Sequence, residues 1–116
     1  MPDSFHERTS QELRRGVLQL AVIALLRQRT YGYDLLRVLA ERGFPAEEGT
    51  LYPVLRRLEG EGLLRSEWDT SGSRPRKYYE STDTGRAALA ALETEWSRVD
   101  VLLRRIIDVA EVPRAV

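Results

Sequence analysis

The feature that most constrains this chain is an apolar stripe toward its C-terminal end. Leu89, Leu92, Trp96, Val99, Leu103 and Ile106 recur at spacings of 3, 4, 3, 4 and 3 residues. That is a heptad seam over nearly three repeats, and such a seam needs a facing helix to cover it. Thr82 is suited to cap the helix that bears it, with Asp83 in the first turn. The helix is expected to reach Asp108 or further, before Pro113. With 116 residues the chain reads as one domain, and small domains gain stability by associating. A second copy of the chain is therefore the expected cover.

The first helix makes a similar demand. Residues 1–9 read as a polar tail without the apolar core of a signal peptide. Ser10 is a candidate cap, followed by Glu12 and an apolar run from Val17 to Leu26 broken only by Gln19. That run is too short to cross a bilayer, which takes roughly 20 residues. It is apolar almost all round, so it must be covered on most sides, with Val17 and Leu20 among the residues expected at a subunit interface.

Two shorter helices follow. Thr30 is a candidate cap for one running from about Tyr31 to Arg42, with Leu35, Leu36 and Leu39 inward and Gly43 as its stop. Phe44, in the connection, is expected in the core between the two. The next helix spans about Glu47 to Gly60, with Leu51, Val54, Leu55 and Leu58 on one face. Pro53 is expected in its first turn, where a missing N–H does no harm. The period then changes from helical to alternating. Leu64, Ser66 and Trp68 alternate with Arg65, Glu67 and Asp69, Thr70 to Pro75 has turn composition, and Arg76 to Ser81 is β-prone. Two strands around a short loop make a hairpin, with Trp68 expected to cover its inner face.

The resulting fold class is mainly α with a small β-hairpin: a winged helix-turn-helix with a long C-terminal dimerisation helix. The expected organisation is an N-terminal tail (1–9), a winged helix-turn-helix DNA-binding domain (10–81), a dimerisation helix (82–109) and a C-terminal tail (110–116). In helix-turn-helix proteins the second helix of the motif enters the major groove. Here its outward face presents Thr50, Tyr52, Arg56, Arg57 and Glu59. Arginine can pair with guanine edges or phosphate, and Thr and Tyr can donate to phosphate oxygens. An ordinary solvated helix face would also account for these residues. The hairpin sharpens the choice, because Arg74, Arg76 and Lys77 give it a local charge of +3. A basic hairpin beside such a helix suits a minor groove or a phosphate backbone. The chain as a whole has 18 Lys and Arg against 18 Asp and Glu, so any positive face must be local.

Several classes are excluded by what the sequence lacks. Without cysteine there is no disulfide, thiolate nucleophile or thiolate metal site. His6 is the only histidine and has no metal-ligating neighbour. Glu47/Glu48 and Glu59/Glu61 read as solvated faces, and no glycine-rich phosphate loop occurs. No enzyme activity, metal or cofactor is expected, and no membrane partner. The expected location is the cytoplasm.

The segment Gly49-Thr50-Leu51-Tyr52-Pro53-Val54-Leu55-Arg56-Arg57-Leu58-Glu59, followed by Gly62-Leu63-Leu64, resembles the signature of the PadR family of bacterial transcriptional regulators. So do Tyr31-Gly32-Tyr33-Asp34-Leu35, Gly72-Ser73-Arg74-Pro75-Arg76-Lys77-Tyr78-Tyr79 and Thr82-Asp83-Thr84-Gly85-Arg86. The resemblance covers about residues 11–108, and the single C-terminal helix is similar to the family's smaller subgroup. It implies a homodimeric winged-helix repressor on double-stranded DNA with a palindromic operator, often released by a small molecule. It implies a dimer held by the first and last helices. It also implies DNA contact by Thr50, Tyr52 and Arg56, by Arg74, Arg76 and Lys77 on the wing, and by Tyr33 toward phosphate. At least one of the paired Tyr78 and Tyr79 is expected in the core. Trp96 reads first as dimer core and second as the wall of a slot for a small, flat aromatic effector. The rival function is a winged helix used for protein interaction or dimerisation without DNA, which the zero net charge favours.

Overall fold

The computed structural model describes residues 4–108. Its elements are α1 (Phe5–Leu25), β1 (Thr30–Tyr31), α2 (Gly32–Glu41), α3 (Glu48–Gly60), β2 (Leu64–Asp69), β3 (Arg76–Ser81) and α4 (Asp83–Ile107). The strands form one antiparallel sheet in the order β1-β3-β2. The mainly helical class, the hairpin and the long last helix are thus all present. The expected C-terminal tail at 110–116 lies outside the described residues.

Helix α1 begins earlier than its apolar pattern indicates. Ser4 is its N-cap and accepts the Glu7 N–H at 3.3 Å, so Ser10 lies inside the helix and residues 5–9 are helix, not tail. This first stretch is exposed apart from half-buried Thr9 and Ser10. Without a buried stripe it gives no periodicity to read, although an acidic residue in a serine-capped first turn favours the helix. Further along, Leu18, Val22, Ile23 and Leu26 are buried.

Thr30 does not cap α2. Its hydroxyl donates to the Gln28 carbonyl at 2.8 Å, and Thr30 and Tyr31 instead form the short strand β1 against Tyr79 and Tyr78. The N-cap of α2 is Tyr31, which makes no side-chain cap bond. Helices α2 and α3 end alike. Gly43 and Gly62 take positive φ values of 84° and 81°. The next N–H, of Phe44 or Leu63, reaches back to Leu39 or Leu58 at 2.8 and 2.9 Å. These are Schellman closures, which favour glycine because it bears no Cβ.

Pro53 is the sixth residue of α3, one turn later than expected. The carbonyl that loses its partner belongs to Gly49, which is exposed, so water can satisfy it. The inward face of α3 is as read: Leu51, Val54, Leu55 and Leu58 join Leu35, Leu39, Leu64, Tyr79 and Leu89 in one core with the buried residues of α1. Each fully buried leucine contributes about 1.5–3 kcal/mol.

Helix α4 is clamped at its start and free along most of its length. Thr82 caps it by accepting the Gly85 N–H at 3.0 Å, and donates its own hydroxyl to the Gly62 carbonyl at 2.6 Å. Gly85 is buried so closely on the Leu63 carbonyl that an added Cβ would run into that oxygen. From Ala90 to Ile107 every residue except Asp100 is exposed.

Gly85→Ala should therefore be costly although alanine is the better helix former. The backbone cannot part without moving α4, and a loss of about 1–3 kcal/mol is expected from the overpacking. Urea unfolding followed by circular dichroism measures it, and an unchanged midpoint would contradict the close approach.

Candidate nucleic-acid interface

The buried face of α3 fixes where its other face points. Thr50, Arg56 and Arg57 are exposed. Tyr52 is half-buried, with its ring against Gly32 at the start of α2, where an added Cβ would lie 3.2 Å from Cε1. Burial, followed by the charge of Glu48, pushes the Tyr52 phenol above its ordinary pKa. It is thus a protonated donor at neutral pH, held in place by packing. Tyr33, on the first turn of α2, is 75% exposed.

The strand register sorts the hairpin into two faces. Leu64, Ser66 and Trp68 pair with Ser81, Tyr79 and Lys77 on the inner face; Arg65, Glu67 and Asp69 pair with Glu80, Tyr78 and Arg76 on the outer one. Leu64, Tyr79 and Ser81 are buried, but Trp68 is 60% exposed. The expectation that Trp68 covers the inner face is therefore corrected. Six-residue strands reach about 20 Å, and the core covers only the end near Leu64. Burial accounts for Tyr79, whose hydroxyl it pushes to higher pKa, while Tyr78 stays half-buried.

The three basic residues of the wing have different aromatic settings. Lys77 is on the inner face, with Nζ 5.7 Å from the Trp68 ring centre and 5.5 Å from that of Tyr79. Arg76 is stacked over the Tyr31 ring at 4.0 Å. Arg74 is exposed in the loop. Between the wing and the start of α2 lies a cleft of about 590 Å³ lined by Tyr33, Tyr52, Trp68, Arg74 and Lys77, with Tyr31 and Arg76 also at its walls. Of the residues singled out in the sequence for DNA, Tyr33, Tyr52, Arg74, Arg76 and Lys77 meet there. Thr50 opens instead into a separate groove beside Arg14, Arg15 and Phe44. Phe44 is only half-buried and carries the Arg14 guanidinium over its ring at 4.5 Å.

In a chain of zero net charge, any positive face depends on where the unpaired cations sit. Arg29, Arg37, Arg65, Arg86 and Arg104 are each in an ion pair. Among the described residues, Arg56, Arg57, Arg74 and Lys77 are in none. Glu59, the acid beside Arg56 and Tyr79, accepts the Ser66 hydroxyl at 2.6 Å.

A second surface joins the outer face of α1 to α4. Val17, Leu20, Leu89 and Trp96 line one groove of about 430 Å³, together with Ala21 and Ala24. Leu89 is buried, whereas Leu92, Trp96, Val99, Leu103 and Ile106 are 44–71% exposed. Val101, Leu102 and Ile107 add exposed apolar surface off the seam. Among the described residues no group of His, Cys, Asp or Glu could hold a metal ion, and no helix is long and apolar enough to cross a membrane.

A family model described as the PadR-like family of transcriptional regulators matches residues 20–91. A transcriptional regulator of Mycobacterium tuberculosis is 38% identical over 80 residues, covering 68% of this chain and 75% of its own length. The crystal structure of a PadR family transcriptional regulator from Eggerthella lenta is similar at 44% identity and a TM-score of 0.85, over 92% of this chain and 96% of that one. A PadR-like transcriptional regulator from Bacillus cereus is similar at 30% identity and a TM-score of 0.72, over 84% and 97%.

The two inner-face aromatics should respond very unequally to truncation. Trp68→Ala is expected to change stability by less than about 0.5 kcal/mol, as at other exposed positions. Tyr79→Ala should cost about 3 kcal/mol or more through the cavity it leaves. Comparable losses in urea melts of the two variants would refute the assignment of Trp68 to open surface.

Proposed function

The chain belongs to the PadR-like family of transcriptional regulators, and from that premise we propose that it is a sequence-specific repressor, acting as a homodimer on a palindromic operator in the bacterial cytoplasm. The observation that carries this reading is the cleft between wing and α2, where Tyr33 and Tyr52 offer phenolic donors beside Arg74 and Lys77. A concave face with donors and unpaired cations suits a phosphate backbone. Helix α3 would enter the major groove beside it, with Thr50, Arg56 and Arg57 toward the bases and phosphates. Arg76, stacked on Tyr31, would contribute charge more than a flexible contact. In this reading residues 10–81 bind DNA and residues 82–109 join the subunits.

The seam on α4 supports the dimer. Five large apolar side chains in a row at 44–71% exposure are a poor surface for a lone chain. Covered by a second α4 and by α1, they would form a coiled-coil-like interface. The groove beside Trp96 supports release by an effector. At about 430 Å³ it falls within the range of small-molecule sites. Its mostly apolar lining, with one indole and with Glu93 and Ser97 as its polar members, suits a small, flat aromatic molecule.

Three measurements bear on this reading. Electrophoretic shift of DNA from the chain's own upstream region should show binding that weakens steeply with salt, with a log–log slope of about −0.9 per phosphate neutralised. Arg74→Ala should reduce that slope by about 1. Absence of any shift across low and high salt would favour the rival reading, a winged helix that binds protein and not DNA, which the zero net charge suits. Sedimentation should give a dimer, and Leu103→Glu, on the exposed seam, should give a folded monomer with unchanged helical signal per residue.

A further inference from the structure

Strand β1 is only two residues long and joins the sheet through two residue pairs, Thr30 with Tyr79 and Tyr31 with Tyr78. So short a ladder holds the start of α2 to the wing weakly. Side chains on the outer face supply what the ladder lacks. The Tyr31 hydroxyl donates to Asp69 Oδ2 at 2.6 Å, reaching from one edge strand across β3 to the other. The remaining oxygen, Asp69 Oδ1, accepts the Ser71 N–H at 3.0 Å and the Ser71 hydroxyl at 2.6 Å. One carboxylate therefore shapes the first turn of the wing loop and ties it to β1.

The ring that carries this bond is boxed in. Arg76 stacks over Tyr31 at 4.0 Å, and Tyr78 meets it edge-on at a centroid distance of 5.8 Å. Arg29 in turn lies over Tyr78 at 3.6 Å and pairs with Glu67 at 3.5 Å. The Ser71 hydroxyl first, and Tyr31 next, hold the Asp69 carboxyl well below the usual carboxylate range, so it is ionised at neutral pH. Tyr31 is also the N-cap residue of α2, directly before Gly32 and Tyr33. The wing and the start of α2 are the two walls of the cleft.

We propose that the Tyr31–Asp69 hydrogen bond is a latch that positions the wing against the start of α2 and so sets the width of the cleft that receives DNA. Tyr31 and Asp69 are positioning residues here, acting through Arg74, Lys77 and Tyr33. The inference rests on the DNA-binding reading above for its functional half, and on geometry alone for its structural half.

The test uses the full chain and Tyr31→Phe, which deletes only the hydroxyl and keeps the ring for Arg76 and Tyr78. Hydrogen exchange of the Ser71 amide, which is bonded to Asp69, and of the amides of the β1–β3 ladder should quicken, while exchange in α3 stays as in the native chain. Affinity for duplex DNA from the chain's own upstream region should fall roughly tenfold, the size expected for one hydrogen bond to a charged group. In an Arg74→Ala background the same change should cost much less, because the latch acts through the wing. Asp69→Ala should reproduce both effects, and adding Tyr31→Phe to it should add nothing. Arg65→Gln, which breaks another ion pair on the same face, should move neither readout.

Unchanged wing exchange in Tyr31→Phe overturns the latch. Faster exchange with unchanged affinity, or full additivity with Arg74→Ala, overturns its role in binding. Should the native chain bind no DNA, the functional reading fails, and exchange still decides the structural half.

Discussion

The Leu26 carbonyl, just past the end of α1, accepts both the backbone N–H of Ser81 at 2.8 Å and its hydroxyl at 3.2 Å. Ser81 is fully buried, so this polar group had to find a partner inside the protein. One residue further on, Thr82 donates its N–H to Leu63 at 3.1 Å and its hydroxyl to Gly62. Gly85 then packs on the same Leu63 carbonyl. The end of α1, the turn after α3, the end of β3 and the start of α4 all meet at this node. It sets the exit direction of α4 and the root of the hairpin together, so the wing and the seam are fixed relative to one another by a few backbone groups.

Much of this was legible because the relevant signals are periodic or chemically forced. The inward residues of α3, the glycine stop at Gly43, the Thr82 cap and the hairpin all follow from spacing and from what each residue type allows. What escaped had other causes. The first turns of α1 carry no apolar stripe, so only the Ser4 cap marks them. Strand β1 is too short to show alternation, and its existence depends on a partner strand more than 40 residues away. Pro53 is tolerated in the second turn because an exposed Gly49 can be hydrated, a fact of burial rather than of local sequence.

The candidate site shows the same division. Its residue types were readable, since basic and phenolic side chains on one helix and one hairpin stand out in a neutral chain. Their arrangement was not. Three wing cations close in sequence reach one cleft from different sides, because strand alternation sends Arg76 and Lys77 to opposite faces. Tyr31 was read as the start of the second helix and as part of a family motif. Its link to Asp69 spans 38 residues and crosses β3, whose pairing with β1 no local pattern reveals. Trp68 was misread because alternation identifies a face of a hairpin without saying how far along it the core extends.

Helix α1 is where the two surfaces become mechanically related. Its core face, through Leu18, Val22, Ile23 and Leu26, packs with the buried side of α3 and with β3. Its other face, through Val17, Leu20, Ala21 and Ala24, forms the groove with Leu89 and Trp96. A close-packed core transmits displacement poorly as deformation and well as rigid movement. Under the proposed effector reading, a molecule wedged beside Trp96 would change the angle between α1 and the free length of α4, with the node at Leu26 and Ser81 as the pivot. In a dimer joined through α4, that angle would set the distance between the two α3 helices. A palindromic operator would fix their separation at about 34–36 Å or a multiple of it, so a small rotation at the groove would be read as lost register on DNA. Such coupling requires only that the effector favour one angle over another. The domain that carries α3 need not deform at all.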